Sequence, residues 1–368
     1  MFTERTSLGL DVHARSVKAC AIDSLTGEIM HHTLAADTVV VGEFVEALAR
    51  EHGPVQVTYE AGPTGYELAR TLIEAGHRVQ VAAPSKLLRP SGERVKTDKN
   101  DAWLLARLAR NDDITEVTVP DRSREVARDL VRARDDVRRD LMSARHRLGK
   151  FLLRHGHIYT GGEAWTGKHE AWMQQMARQD SAVFGELSRS VFDDYSDAVA
   201  HALARRDRLD AKILALAADS AWTTTTRRLA CLRGISTLTA FSLAVEIGDW
   251  DRFTGRNIAS YLGLVPSEHS SGQTRSQGRI TKTGNAHARR LLIEAAWHHK
   301  PQYRPGKTMR DRWALAPAAV AERADAGNRR LHHRWQVLSE HKKRHTVANT
   351  AIARELAGWC WSLATMEA

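Results

Sequence analysis

A long stretch without proline near the middle of the chain constrains the fold most. Residues 122–154 read RSREVARDLVRARDDVRRDLMSARHRLGKFLLR and contain a single glycine. Apolar residues recur along it every seven positions, and others lie close to the same stripe. The repeat consists of Leu130, Val137, Ala144 and Phe151, flanked by Val126, Leu141 and Leu148. This spacing predicts one long amphipathic helix with a coiled-coil-like seam.

A second helical pattern follows at residues 193–219, after a break at 155–180 that contains glycine and tryptophan. Two long helices in succession predict either a helical hairpin within the chain or a coiled coil between chains. The first helix carries eleven Lys or Arg against five Asp or Glu. Those charges are also what a solvated helix face would show.

The stretches on either side of these helices differ in character. Residues 5–120 show the order of three strands, helix, strand, helix, strand, helix, which is typical of a mixed α/β domain around one sheet. The region after residue 225 is mostly helical, with one loop-rich stretch at 263–290. We therefore expect an α/β plus all-α protein. Its expected domains are 1–121, 122–222 and 223–368.

The composition bears on the partners of the chain. Its 368 residues include 54 Lys or Arg and 44 Asp or Glu, a formal net charge of +10. A basic protein of this size suggests a polyanionic partner, usually nucleic acid. The three cysteines have no ligand spacing, and no apolar run approaches the roughly 18 residues that span a bilayer. We expect a cytoplasmic, nucleoid-associated protein without a membrane partner.

Acidic residues mark the ends of predicted elements. Asp11 ends the first strand, Glu60 ends the strand after the first helix, and Asp98 and Asp101 open a later helix on one face. In an RNase H-like sheet these places meet at one edge, where four carboxylates would bind two Mg²⁺ or Mn²⁺ ions. The alternative is a solvated first turn, in which acids are favoured by the helix dipole. His13, beside Asp11, either touches a metal-bound water or satisfies a strand end.

Basic residues surround the acidic pair of the later helix. Arg94, Lys96 and Lys99 lie in the stretch RVKTDKNDAW. If the acids hold metal ions, these cations are placed to bind the phosphates of the strand being cut. Solvated loop charges are the alternative for any one of them.

Several spaced motifs together resemble one known family. GLDVHARSV, YEAGPTGY and KTDKNDAWLLARL resemble the N-terminal catalytic domain of the DEDD transposases of the insertion sequence 110 family. LRGISTLTAFSLAVEIGDWDRF and ASYLGLVPSEHSSGQTRSQGRITKTGNAHARRLLIEAAW resemble that family's C-terminal transposase domain. The resemblance covers most of the chain in the family's order and is weakest at 122–220.

The resemblance implies a catalytic N-terminal domain of the RNase H-like, Holliday-junction-resolvase type. Its metal ligands would be Asp11, Glu60, Asp98 and Asp101, with two Mg²⁺ or Mn²⁺ ions as cofactors. The family's C-terminal domain carries a serine nucleophile, which maps best onto Ser271 by its place before a glycine.

The serine assignment leaves alternatives open. Ser270 competes with Ser271, and Ser267 and Ser276 are not dismissed. From the residues alone, HSSGQ is equally a turn-forming Ser/Gly loop. The neighbouring cations Arg275, Arg279 and Lys282 are candidates for binding phosphates.

A turn in the C-terminal region is a further candidate. LRGISTLTAFSLAVEIGD fits a helix-hairpin-helix, with Gly234 in a tight turn before a helix that starts near Ser236 or Thr237. Backbone N–H groups of such a turn bind phosphate without reading sequence. An ordinary helix-turn-helix packing motif is the alternative.

These observations lead to one expected function and two rivals. The resemblance implies a DNA transposase or recombinase that excises and inserts a mobile element under the guidance of a structured bridge RNA. Element ends and target DNA, that RNA, and further copies in a dimer or tetramer are the expected partners. The rivals are a metal-dependent junction endonuclease without a covalent intermediate, and a non-catalytic nucleic-acid-binding protein.

Overall fold

The computed structural model of the chain describes residues 5–88, 97–179, 181–268 and 276–367, and the side chains of these residues except 177–187. The chain divides into two compact units, Met1–Arg122 and Ser123–Ala368. Within the described ranges, no helix is both long enough and apolar enough to cross a bilayer. All three cysteines are buried and free of disulfides, as their sequence spacing indicates.

The first unit is built on one five-stranded sheet. Its strands are β1 (Thr6–Val12), β2 (Ser16–Ile22), β3 (Ile29–Ala35), β4 (Val55–Glu60) and β5 (Arg78–Ala82). Its helices are α1 (Thr38–His52), α2 (Glu67–Glu74) and α3 (Asp98–Arg110). The strand order is β3-β2-β1-β4-β5, in which β1, β2 and β3 pair antiparallel while β4 and β5 run parallel to β1. The expected mixed α/β unit and its order of elements are confirmed.

The two faces of this sheet bury different residues because side chains alternate along a strand. Leu8 and Leu10 of β1 point to one face, where they pack with residues of α1 and α2 such as Val41 and Leu72. Gly9 is on the opposite face, paired with Cys20 of β2. Helix α3 covers that second face and packs on β1 and β2.

Gly9 lets α3 lie directly on the sheet. A Cβ atom added there would come closer than 3.0 Å to the carbonyl oxygen of Ala102 and to the backbone nitrogen of Ala106. Both are backbone atoms of α3, so the clash could be relieved only by moving the helix. The absence of a side chain at Gly9 therefore determines how near the first turn of α3 comes to the end of β1.

We expect Gly9→Ala to destabilise the protein by about 1–3 kcal/mol, because overpacking against a helix backbone forces the two elements apart. Urea denaturation of both proteins measures this change. Gly42→Ala in α1 is the matched control, since nothing lies within 4 Å of its added Cβ. A helical Gly→Ala change without a clash should stabilise by roughly 0.5–1 kcal/mol. Equal effects of the two substitutions would contradict the close approach.

The second unit is predominantly helical. It begins with three helices, α4 (Arg122–Arg154), α5 (Gly167–Gln179) and α6 (Ser181–Ala218). The first residue of α4 belongs to the first unit. The elements that follow are α7 (Thr223–Leu229), α8 (Thr237–Ile247), α9 (Ile258–Tyr261), β6 (Pro266–Glu268), β7 (Gln277–Ile280), α10 (Ala286–Ala296), α11 (Lys307–Trp313), α12 (Ala318–Glu340) and α13 (His345–Ala364). The main core lies among α7 to α13.

The two longest helices, α4 and α6, form an antiparallel hairpin within the chain. The start of α4 packs on the end of α6 through contacts such as Val131 with Ile213, and the end of α4 packs on the earlier part of α6. An ion pair from Arg134 Nε to Asp210 Oδ1, 2.7 Å long, crosses the seam. Of the two alternatives open from the sequence, this is the helical hairpin. Association of several copies stays a prediction.

Most of the heptad stripe faces this seam. Val137, Ala144 and Phe151 are buried and Leu130 is partly buried, whereas Val126 is 67% exposed and does not belong to the stripe. Three further expectations were incomplete. Helix α5 occupies most of the second half of the expected break, and α6 begins well before residue 193. The loop-rich stretch 263–290 contains the small antiparallel pair β6–β7.

Candidate metal centre

Two of the four candidate acids lie on neighbouring parallel strands. Strands β1 and β4 pair in a register that sets Leu10 opposite Tyr59. Asp11 and Glu60 are the next residue on each strand, so both reach the carboxyl edge of the sheet. The parallel pairing thus brings together two acids that are 49 positions apart in the sequence.

The other two acids are in the first turn of α3. Thr97 caps this helix, with its Oγ1 accepting a hydrogen bond of 3.3 Å from the backbone nitrogen of Asn100. Asp98 and Asp101 follow within the first turn, where the helix dipole favours negative charge. Because α3 packs closely over Gly9, this turn lies beside the end of β1.

Asp11, His13 and Asp98 form a compact group of possible metal ligands. His13 Nε2 lies 3.0 Å from Asp11 Oδ2 and 3.7 Å from Asp98 Oδ1. One ligand atom from each residue lies within 4.8 Å of the others. Opposite ligands about 2.1 Å from one small divalent ion are roughly 4.2 Å apart, so this set needs little movement to hold an ion. Carboxylate oxygens suit Mg²⁺ or Mn²⁺, and the imidazole nitrogen adds a donor that transition metals accept readily.

The ionisation of Asp11 reflects its crowded surroundings. Burial has the largest influence on the pKa of Asp11 and raises it. The charge and hydrogen bond of His13 act in the opposite direction, while the charges of Asp101 and Asp98 raise the pKa further. The net effect is a raised pKa, caused first by burial and then by the nearby carboxylates.

The structure brings the four predicted acids to one region but not into one ligand shell. Within the part of the chain that the structure describes, Glu60 and Asp101 are half-buried nearby and lie outside the group whose ligand atoms are within 4.8 Å. His13 belongs to that group, although the sequence argument did not place it among the ligands. The sequence carried a signal, because the stretch 7–13 resembles a strand, and residues i and i+2 of a strand point to the same side. In the structure β1 ends at Val12, one residue before His13.

The predicted phosphate-binding residues of this unit are only partly described. Lys99 is exposed on α3. Burial has the largest effect on two nearby groups: it raises the pKa of Cys20 on β2 to about 11 and lowers the pKa of His31 on β3. The positive charge of Lys99 opposes the first shift and adds to the second. Its charge therefore lies near the second and third strands. Arg94 and Lys96 lie outside the described residues.

The predicted serine segment is flanked by paired strands. Strands β6 and β7 run antiparallel, with Pro266 opposite Ile280 and Glu268 opposite Gln277. Among the predicted phosphate-binding cations here, Arg279 on β7 and Lys282 just after it are both exposed. Ser270, Ser271 and Arg275 fall outside the residues that the structure describes.

The turn at Gly234 has a packing explanation. Helix α8 begins at Thr237 with Ser236 as its cap, where the sequence indicates a helix start. Gly234 has a φ of +83°, and an added Cβ would lie closer than 3.0 Å to the carbonyl oxygen of Ala295 on α10. Close packing on α10 thus accounts for the glycine. Binding of phosphate by this turn stays a prediction.

A buried carboxylate that the sequence argument did not select organises the second unit. Glu246 on α8 has a side chain with 0% exposure. Arg132 of α4 donates to it from Nε at 2.8 Å and from Nη2 at 3.0 Å. Asn285, which caps α10, donates from Nδ2 at 2.7 Å, and His287 Nδ1 lies 3.1 Å from Oε1. One carboxylate therefore joins α4, α8 and the start of α10.

Burial raises the pKa of Glu246, but its hydrogen bonds with His287, Arg132 and Asn285 and the charge of Arg132 outweigh burial. The pKa falls from its ordinary value of 4.5 to about 2. A carboxyl whose pKa is lower in the folded protein stabilises the fold at any pH above its ordinary, unfolded-state pKa. This stabilisation is lost as the pH falls from that value to the folded-state pKa. The contribution of Glu246 should therefore disappear between about pH 4.5 and pH 2.

We expect Glu246→Gln to lower the free energy of unfolding at pH 7 by about 3 kcal/mol. This is the low end for breaking a buried ion pair, because Arg132 is 54% exposed and stays hydrated. Urea denaturation at a series of pH values measures it, and the deficit should shrink in acid. Glu294→Gln, which removes an exposed ion pair with Arg290, is the control and should cost less than about 1 kcal/mol. A deficit that does not change with pH would contradict the assignment.

Comparison with known proteins places two segments of the chain in described families. Residues 8–157 match a DEDD family described as Transposase, and residues 226–314 match Transposase IS116/IS110/IS902 family. A putative transposase y4qE of Sinorhizobium fredii is 35% identical over 97% of this chain and 88% of its own length. The transposase for insertion sequence element IS1533 of Leptospira borgpetersenii is 30% identical over 92% of this chain and 97% of its own length. A probable family 20 transposase of Pseudomonas aeruginosa is 28% identical over 86% of each chain.

Proposed function

The chain belongs to the IS110 family of DEDD transposases, and on that premise we propose that it excises and inserts a mobile DNA element through a carboxylate metal centre and a serine nucleophile. Membership makes it a transposase, an enzyme that processes DNA. The observation that carries the proposal is the group of Asp11, His13 and Asp98, with ligand atoms within 4.8 Å at the end of β1 and the start of α3.

The architecture of the first unit supports an RNase H-like fold. Three antiparallel strands followed by two strands parallel to the first, with helices on both faces, make a sheet whose carboxyl edge collects acids from β1, β4 and α3. The proposed domains remain 1–121 for the metal centre, 122–222 for the helical hairpin and 223–368 for the serine segment.

The proposed centre uses Asp11, Glu60, Asp98 and Asp101 as carboxylate ligands, with His13 hydrogen-bonded to Asp11. A pair of Mg²⁺ or Mn²⁺ ions bound there would stabilise negative charge on the attacking and leaving oxygens of phosphoryl transfer. Asp11 would supply a ligand from the end of a paired strand, and Asp98 one from a capped helix start. Secondary structure thus holds the backbone of both proposed ligands.

The proposed nucleophile is Ser271, with Ser270 as the competing assignment. Its hydroxyl oxygen would form a bond to a DNA phosphorus as one P–O bond of the DNA strand breaks. The serine would lose its proton, and the departing DNA oxygen would gain one and end as a free hydroxyl on the cleaved strand. One ester replaces another, so the energy of the broken bond is kept for resealing. A serine hydroxyl needs activation to attack in this way.

The proposed partners follow from charge and family. The net charge of +10 suits DNA and a structured guide RNA, both polyanions. We propose that dimers or tetramers in the cytoplasm assemble on the element ends. The phosphate contacts would come from Arg94, Lys96, Lys99, Gly234, Arg275, Arg279 and Lys282.

The test is cleavage of labelled DNA that carries the element's ends and its flanking non-coding sequence, with Mg²⁺ and the transcribed flanking RNA. We expect strand cleavage that needs the divalent ion, together with a DNA–protein adduct on a denaturing gel that protease removes. Cleavage without an adduct would favour the metal-dependent junction endonuclease. Binding without cleavage would favour the non-catalytic nucleic-acid-binding protein.

A further inference from the structure

A basic trough lies in the second unit, and β6 and β7, the strands that flank the serine segment, contribute no residue to its lining. It is formed by α12, α13, α9 and the residues just before α9, and it has a volume of about 720 Å³. Small residues contribute to its lining: Gly255, Ala259, Ala351 and Gly358. A Cβ added at Gly358 would lie 3.3 Å from the carbonyl oxygen of Gly255, so these two glycines let α13 pack closely on the segment before α9. The small side chains at Ala259 and Ala351 project little into the trough.

Arginine dominates the trough. Its charged residues are Arg256, Arg323, Arg330, Arg334 and Arg354, with Glu355 as the single acid. The three arginines on α12 are at positions i, i+7 and i+11, which lie on one face of a helix. At about 1.5 Å per residue they extend over roughly 16 Å. A row of cations of that length suits a chain of regularly spaced anions.

Two of these arginines are held in position by neighbours. The guanidinium of Arg323 lies over the ring of Trp359, 4.6 Å from its centroid, and its Nε donates to Ser362 Oγ at 3.1 Å. Arg330 Nε donates to Glu355 Oε1 at 2.6 Å. The two hydrogen bonds are donated by Nε, and the third contact is the stacking of the Arg323 guanidinium on the Trp359 ring. The terminal Nη groups of both arginines make no hydrogen bond to any residue that the structure describes.

The other three arginines are exposed on the rim. Arg256, Arg334 and Arg354 form no hydrogen bond or ion pair with the described residues of the chain. Three guanidinium groups without a counter-ion in the described chain make the rim strongly positive, and an anion bound there would offset that charge. Planar guanidinium forks match phosphate oxygens in pairs, which favours phosphate over an irregular row of peptide carboxylates.

We propose that this trough binds the sugar–phosphate backbone of a single nucleic-acid strand without reading its bases. A trough between two packed helices, whose axes lie about 8–10 Å apart, admits one strand and excludes a duplex. The arginines that would carry the binding match phosphate oxygens, and phosphates are the same in RNA and in DNA. We therefore expect the trough to bind strands of either sugar. This inference rests on the proposed function only in taking nucleic acid as the polyanion.

The test measures binding without cleavage. Arg334→Gln with Arg354→Gln removes two rim charges that make no contact within the described chain, so thermal unfolding should be unchanged. The probes are fluorescein-labelled oligothymidylate and oligouridylate of about twelve nucleotides, followed by anisotropy in EDTA. Because EDTA removes the divalent ions, the result does not depend on the metal centre or the serine. Failure of the proposed chemistry would leave this measurement intact.

We expect the double variant to bind both single strands roughly tenfold more weakly at low salt. We measure the slope of log affinity against log salt concentration between about 50 and 200 mM salt. For the double variant this slope should be less negative by about 1.4, which is about 0.7 for each of the two phosphates that are no longer neutralised. The matched control is Arg50→Gln with Arg78→Gln, which removes two exposed arginines from the first unit. It should keep the wild-type slope. Equal weakening in the two double variants would overturn the proposal, and so would weakening confined to one of the two single-stranded probes.

Discussion

Asp11→Asn is expected to lower the rate of Mg²⁺-dependent DNA cleavage by about 10³-fold or more, with the fold intact. Asn keeps the shape of the side chain and its hydrogen-bonding capacity toward His13, but it removes the negative charge. A carboxylate that holds a catalytic ion contributes several kcal/mol through that ion, and each 1.4 kcal/mol corresponds to about tenfold in rate. The measurement is single-turnover cleavage of labelled DNA with saturating enzyme.

The same substitution should act differently on metal-free protein. Asp11 lies in a position where burial and the neighbouring charges of Asp101 and Asp98 raise its pKa, so its charged form is unfavourable there without a cation. Removing the charge should leave the stability of the metal-free protein equal or higher. Added Mg²⁺ should then raise the melting temperature of the wild type more than that of the variant, because an ion stabilises only the state that binds it.

Asp37→Asn is the matched control for this change. Asp37 caps α1, with its Oδ1 accepting a hydrogen bond of 2.7 Å from the backbone nitrogen of Val39. Asn caps helices about as well as Asp, so this variant loses one charge from the same unit with little other effect. Its cleavage rate should equal that of the wild type. Undiminished cleavage by Asp11→Asn would remove the basis for the metal centre.

Ser271→Ala is expected to abolish the covalent DNA–protein adduct while DNA binding persists. The substitution removes one oxygen atom, and the proposed attack has no other atom at that residue to form the bond to phosphorus. Affinity depends mainly on contacts of Lys and Arg with phosphates, so it should keep its steep salt dependence. A denaturing gel of labelled DNA, incubated with wild type or variant, measures the adduct directly.

Ser270→Ala is the control for that experiment, because it deletes the same atom from the adjacent residue. It should retain the adduct. An adduct that survives Ser271→Ala and disappears with Ser270→Ala would show that the mechanism is right and the residue wrong. If both variants keep the adduct, the nucleophile would be Ser267 or Ser276, the remaining serines of the same stretch.

Local patterns were sufficient for much of the first unit. Alternation along short strands and the 3.6-residue period of helices depend only on neighbours in sequence, so the order of elements could be read directly. The same patterns placed Asp11 and Glu60 at strand ends and the acidic pair at a helix start. The family of the chain was also evident, because its motifs are contiguous stretches.

Which residues come together across long separations required the tertiary structure. The heptad stripe of α4 predicts that this helix packs against an apolar surface, but it does not say which one. The structure shows that the partner is α6 of the same chain. His13 joins Asp98 only because Gly9 lets α3 lie against the sheet.

The contacts of Arg132 and of the α12–α13 trough show the same limit. Arg132 and Glu246 are 114 positions apart, and neither stretch has a pattern that points to the other. The arginines of the trough come from two helices and a preceding segment, and in sequence each is one of many surface cations. Sequence by itself determined the elements, their exposed and buried faces and the family, because these follow from local chemistry. Only the tertiary structure decided which charges lie side by side, because helix packing and strand register join residues that the chain keeps far apart.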